Sequence, residues 1–179
     1  MTHGRFEVMQ LTSICIALSL VTALPYAAAA EVRVGTFLGG QVGSNTSGAV
    51  AELGVNLSVQ GPINAADDLH LRGTLSAGGQ VGPGVQPSQY SPVDGFVPLV
   101  RLDLDLLKTG GNLYYGVGVG SGVLFVGGSD SVPYFVLTPI ALLNVHGIVG
   151  KDFGTYSLEG IVRLGLTSSV ALHASVPLR

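Results

Sequence analysis

Residues 100–107 read VRLDLDLL. Arg101, Asp103 and Asp105 alternate with valine and leucine, so a strand's period of two sends the charges to one face and the aliphatic chains to the other. Neither face suits an ordinary soluble strand. A row of leucines gains nothing from water, and a dry core rejects charges unless something answers them. The fold must supply an oily environment on one side and opposite charge on the other.

The same alternation spreads outward. It recurs in segments of about ten residues, separated by clusters of Gly, Asn, Asp, Ser and Pro. No helical period appears after residue 30. The pattern predicts eight strands: 32–42, 49–60, 69–79, 96–107, 113–126, 133–146, 155–166 and 169–177. In the second, Leu53, Val55, Leu57 and Val59 oppose Glu52, Gly54, Asn56 and Ser58. In the seventh, Tyr156, Leu158, Val162 and Leu164 oppose Ser157, Glu159, Ile161 and Arg163.

Such a dyad fits two opposite objects. A soluble barrel or sandwich turns the apolar face inward, whereas a membrane barrel turns it to lipid and the polar face to the lumen. Composition and charge separate them. Only 11% of the 179 residues are Asp, Glu, Lys or Arg, against about 25% in soluble domains. Lys108 and Lys151 are the only lysines. The polar faces hold mainly Gly, Ser, Thr and His, a poor water-facing surface. Their strand charges are Arg33, Arg72, Arg101 and Arg163 against Glu52, Asp103, Asp105 and Glu159, a zero sum. Buried ions must be paired, so a balanced set is expected inside a narrow closed barrel. The expected fold is all-β: an eight-stranded antiparallel up-and-down transmembrane β-barrel, with these charges forming a structural network in the lumen.

Gly116, Gly118, Gly120 and Gly122 share one face of the segment that follows KTGG. With Gly110-Gly111 as a two-residue hairpin turn, Asp105 faces Gly116, Asp103 faces Gly118 and Arg101 faces Gly120. Lumen glycines then leave room for their neighbours' side chains. The run lacks the G-x-G-x-x-G spacing of a phosphate loop. Tyr114, Tyr115, Phe153 and Tyr156 collect near one set of turns, and Phe96, Phe125, Tyr134 and Phe135 near the other, as interfacial girdles do. Turns at 61–68, 108–111 and 147–154 fall at the inner end, and the longest connection, 80–95, falls at the outer end.

Residues 1–30 read as a targeting segment. Arg5 precedes an apolar run over 11–24, Pro25 and Ala28-Ala29-Ala30, which predicts a cleaved signal peptide over 1–30 and a barrel domain over 31–179. Cys15 is the only cysteine, so 31–179 offers no disulfide, thiol nucleophile or cysteine-bound metal. Net charge is −3 with no basic run, so nucleic-acid binding has no electrostatic footprint.

A signal peptide followed by eight amphipathic strands resembles the OmpA/OmpX-type outer-membrane barrels, across the whole of 31–179. The resemblance implies an interior filled by a polar network with little or no pore. The chain departs from that family at its end, where SVPLR stands in place of a terminal aromatic residue. Segment 133–146 is also apolar on both faces, and Pro139 removes a ladder hydrogen bond. His173 and Ser175 share a face and loosely resemble the His/Ser pair of the lipid A deacylase barrels, without an assignable acid partner. His70 and His146 lack metal-ligand spacing, and no cofactor is implied. The expected function is an outer-membrane protein with a structural, anchoring or adhesive role. Outer-membrane lipid surrounds it, and loop 80–95 is the surface for any extracellular partner. Three alternatives stay open: a soluble secreted barrel that encloses an apolar ligand, a membrane-embedded lipid-modifying hydrolase, and a narrow channel, which the predicted lumen charges disfavour by filling the bore.

Overall fold

The computed structural model describes residues 30–43, 50–82, 96–124, 143–165 and 167–178. Among them VRLDLDLL lies in the middle of a 15-residue strand, β4 (Phe96–Gly110). The strands before it are β1 (Glu31–Gly43), β2 (Val50–Pro62) and β3 (Leu69–Val81); those after it are β5 (Leu113–Leu124), β6 (Asn144–Asp152), β7 (Ser157–Gly165) and β8 (Thr167–Pro177). Each pairs antiparallel with the next, and β8 closes onto β1.

The register gives the barrel's shape. One line of partners runs Glu31, Gln60, Arg72, Asp105, Gly118, His146, Arg163, Ser169 and back to β1 at Gln41. The line returns ten residues beyond its start, from Glu31 to Gln41. Eight strands with that stagger tilt by about 40° from the barrel axis and leave a bore that side chains fill.

The barrel is inside out relative to a soluble one. On β4, Leu102 and Leu104 are 42% and 39% exposed, whereas Arg101, Asp103 and Asp105 are 4%, 2% and 2% exposed. Every strand follows suit. Leu38, Val55, Leu75, Val117, Val145, Leu158 and Leu172 face out, while Glu52, Ser76, His146, Glu159 and His173 are buried. The soluble alternative needs those leucines to line a cavity, and they form the outer wall instead. Apolar material inside is confined to small groups. Leu107, Ile148 and Ile161 pack with Tyr114, and Phe37 lies 5.5 Å from the His173 ring, centroid to centroid.

Four expectations about the strands and their turns need correction. The sixth strand is β6 (Asn144–Asp152), not 133–146; residues 133–142 lie outside the described residues. Its alternation is strict: Asn144, His146, Ile148 and Gly150 are buried, and Val145, Gly147, Val149 and Lys151 are exposed. The predicted turn at 147–154 begins too early: Gly147 and Gly150 are strand glycines, and the turn follows Asp152. The β4–β5 hairpin turns at Gly111-Asn112, with Gly111 at φ +64°. Glycine in the left-handed region at the first turn position is the II′ arrangement. Asp105 therefore faces Gly118, Asp103 faces Gly120 and Arg101 faces Gly122. A slip of two leaves every side chain on its predicted face, where a slip of one would have inverted them all. Finally, Tyr114 does not join a girdle: it points inward, while Tyr115, Phe153 and Tyr156 are exposed.

The two ends differ. Both termini of the described barrel share an end with the short turns 63–68, 111–112 and 153–156. The connections 44–49, 82–95 and 125–143 leave the other end. The span 125–143 exceeds the expected longest connection, 80–95. The targeting segment, most of 80–95, and Phe125, Tyr134 and Phe135 lie outside the described residues.

The orientation of the wall is testable. Leu104→Arg, near the middle of β4, should destabilise the barrel in lipid vesicles by about 2–4 kcal/mol, the cost of a cation at the bilayer midplane. Urea unfolding in vesicles measures it. A neutral outcome would mean that Leu104 does not face hydrocarbon.

Candidate functional site: the lumen network

Every lumen charge named from the sequence is inside the barrel. Arg33, Glu52, Arg72, Arg101, Asp103, Asp105, Glu159 and Arg163 are all at most 7% exposed. Arg72 is central. Its Nε donates to Asp105 Oδ2 at 2.8 Å and its Nη1 to Glu159 Oε2 at 2.7 Å. Asp105 is its neighbour on β4, whereas Glu159 lies across the bore on β7. Glu52 accepts from both Nη atoms of Arg101 at 3.2 Å and from Gln80 Nε2 at 2.9 Å. Arg163 Nη2 donates to Asp103 Oδ2 at 3.0 Å. Glu159 thus pairs with Arg72 on another strand, and its strand-mate Arg163 is taken by Asp103.

The charge balance divides differently from the zero sum read on the strands. Arg33 is answered at the inner rim, with Nε 3.1 Å from Glu31 Oε1 and Nη2 2.6 Å from Asp152 Oδ2. Its Nη1 donates to Ser157 Oγ at 2.7 Å. Deeper in the bore, Arg72, Arg101 and Arg163 meet Glu52, Asp103, Asp105 and Glu159. His146 also reaches into this inner set. Its Nε2 lies 2.7 Å from Asp105 Oδ1 and its Nδ1 2.9 Å from Asn144 Oδ1. Sequence reading missed His146 because its strand was placed too early; its parity with Asn144 and Ile148 was the available signal. Gln41 and Gln80 were overlooked as uncharged, and Asn56 was read only as a polar-face residue without a partner. Gln80 Nε2 also bonds Gln41 Oε1, and Asn56 Nδ2 lies 3.2 Å from His173 Nδ1.

Glycine lets side chains meet across an intervening strand. Gly118 on β5 lies between Asp105 of β4 and His146 of β6. A Cβ there would run into His146 Nε2, Asp105 Oδ1 and the Leu104 carbonyl. Gly120 lies likewise between Asp103 and Asn144. Gly150 on β6 accommodates the Tyr114 ring, whose hydroxyl donates to Glu159 Oε2 on β7 at 3.1 Å. Gly35 on β1 lies between Asn56 of β2 and Ser175 of β8. Gly116 faces Leu107, and Gly122 faces Arg101.

His173 and Ser175 do face the lumen together, but Ser175 Oγ lies 2.8 Å from Ser157 Oγ. The His173 ring is held by Asn56 and Phe37, with Glu159 Oε1 3.6 Å from Nδ1. That carboxylate is an acid neighbour the sequence did not assign. The group is enclosed by the barrel wall, while any lipid substrate would lie beyond it. The chemistry open to this arrangement is mutual neutralisation of the charges that the wall encloses.

No family model matches the sequence, and no curated protein is similar to it in sequence. Solved structures do share its fold. One is Ail, the attachment invasion locus protein of Yersinia pestis, crystallised in complex with the heparin analogue sucrose octasulfate. It is 10% identical, with a TM-score of 0.50 over 83% of this chain and 96% of that one. Another is Neisserial surface protein A, 14% identical, with a TM-score of 0.50 over the same shares of the two chains. Both are small eight-stranded outer-membrane β-barrels. The chain therefore has the fold of the OmpA/OmpX-type barrels.

Two measurements probe the network. Arg101→Met strands the Glu52 carboxylate and should cost about 3–5 kcal/mol. Adding Glu52→Gln should recover part of that loss, so a double-mutant cycle in lipid vesicles should show coupling well above 1 kcal/mol; additive effects would mean that the pair does not act together. Gly118→Val should destabilise strongly, because its side chain enters the Asp105–His146 contact. Gly147→Ala, where a Cβ meets nothing within 4 Å, should stay within about 0.5 kcal/mol of the parent.

Proposed function

We propose that this protein is an outer-membrane β-barrel, exported by a signal peptide cleaved after Ala30, that anchors a binding surface at the cell exterior. The observation that carries the reading is the inverted wall: leucines and valines outside, paired ions inside. Water would penalise that exterior, and lipid rewards it. The shared fold of two outer-membrane barrels supports the location.

The lumen network serves as a structural plug. Arg72 joins β3 to β4 and β7, Arg163 joins β7 to β4, and Arg101 joins β4 to β2, so opposite walls are tied through the bore. A diffusion channel would need that space. Specific binding falls to the outer connections, and their composition narrows the partner. Residues 44–49, 82–95 and 125–143 contain no lysine or arginine. A sulfated polyanion such as the one bound to Ail therefore finds no cation there. Their cation-free, Pro- and aromatic-bearing sequences, with Tyr90, Tyr134 and Phe135 beside the lone carboxylates Asp94 and Asp130, suit an uncharged partner engaged through aromatic and hydrogen-bonding contacts.

The test is gel mobility of the washed outer-membrane fraction, unboiled against boiled. Retention in the membrane with a band that shifts on boiling is the expected result, and the purified protein's mass should correspond to a chain starting at Glu31. A soluble periplasmic protein without a shift would overturn the reading. Replacing 125–143 by a short Gly/Ser linker should abolish adherence of expressing cells and leave the shift intact.

A further inference from the structure

The outer wall carries a trough. Two shallow apolar recesses of about 540 and 530 Å³ lie side by side across β3–β8, centred on β5–β7, and share Gly147. Gly147 faces outward between Val117 of β5 and Val162 of β7, and a Cβ there would meet nothing within 4 Å. Gly160 faces outward beside Val149, and a Cβ there would meet only the Val149 carbonyl oxygen at 4.0 Å. The lumen glycines are covered by their neighbours' side chains. These two are not, so they open a groove between flanking valines.

The groove has a polar end. Tyr115 lines the second recess and is 57% exposed. In the register it stands between Lys108 of β4 and Val149 of β6, and Lys151 follows two residues later on the same outward face. Lys108 and Lys151 are the only lysines in the chain. Among the described residues no other lysine or arginine faces outward, since Arg33, Arg72, Arg101 and Arg163 are buried. Both lysines lie at the end of the short turns, the periplasmic end of the proposed topology. Their own contacts are loose: Lys151 Nζ is 5.1 Å from the Phe153 ring centroid, and Lys108 Nζ is 4.0 Å from Asp68 Oδ2. They sit two strands and two residues apart, roughly 12 Å, close enough for two flexible stems to converge on one phosphate.

We propose that this face binds an anionic phospholipid of the periplasmic leaflet, with an acyl chain in the trough and the headgroup phosphate held between Lys108 and Lys151. The inference rests on the outer-membrane reading above. Charge complementarity selects the occupant: an apolar groove in a membrane-facing wall leads to a cationic pair at the level of the headgroups.

The experiment is native mass spectrometry of the protein, expressed from its full sequence and extracted from the membrane, titrated with phosphatidylglycerol or phosphatidylcholine of identical acyl chains. Phosphatidylglycerol should be retained at least tenfold better, at about fivefold for each lysine. The Lys108→Gln/Lys151→Gln variant should lose that preference. Gly147→Leu should fill the trough and lower retention of both lipids. Equal retention of the two lipids, unchanged in the variants, would overturn the site. Dimers abolished by Gly147→Leu would overturn it in favour of a second copy on this face. Each variant is first checked for a heat-shifted band: absence of the shift in the parent protein would defeat the membrane reading itself, whereas a shift without lipid preference defeats only the lipid site.

Discussion

The structure depends on closure. In hydrocarbon an unpaired backbone amide or carbonyl costs several kcal/mol, so a sheet survives there only when its last strand returns to its first. Here β8 pairs with β1 over its length, from Arg33–Pro177 to Gly43–Thr167. Closing only eight strands makes the bore narrow, and the narrow bore decides the rest. Charges pointing inward are cut off from bulk water and must answer one another. The same narrowness makes this feasible, because Arg72 on β3 can reach Glu159 on the far wall.

Glycine serves two opposite purposes in this wall. Inside, Gly118, Gly120 and Gly150 omit side chains so that those of the flanking strands can touch: Asp105 with His146, and Tyr114 with Glu159. The network is thereby linked across next-nearest strands as well as nearest ones. Outside, Gly147 and Gly160 omit side chains that nothing replaces, and the wall is left concave. One residue type thus tightens the interior and sculpts the exterior, according to parity along the strand.

The distribution of charge divides the protein by depth. Among the described residues arginine is committed to the lumen and lysine to the outer wall at the end of the short turns, and the connections at the other end carry neither. In the proposed topology the lumen arginines hold the scaffold together, the rim lysines stand at the headgroup level, and the outer connections, whose charged residues are Asp94 and Asp130, are left for recognition. A filled, cross-tied barrel suits a fixed anchor better than a conduit, because its interior is already occupied by the groups that keep its walls together.

The alternation in VRLDLDLL, repeated from 31 to 177, determined by itself the strand class and the inward or outward face of nearly every residue in it, because side-chain direction along a strand is a local property of the backbone. It also determined which charges share the lumen, since the scarcity of lysine and the balance of Arg against Asp and Glu are legible without coordinates. It did not determine the partners. Glu159 was readable as a lumen carboxylate, but its union with Arg72 depends on stagger around the whole barrel. The place of β6 was hidden because 133–143 lacks a dyad, while Gly147 and Gly150 imitate a turn. The β4–β5 register hung on which residue of Gly110-Gly111-Asn112 takes positive φ, a choice that hairpin pairing makes and composition does not. His146 against Asp105, Arg33 against Asp152 and the trough at Gly147 were decided by the tertiary structure alone. Each joins residues brought together by ring closure, and no local period records how far one strand has slid past the next.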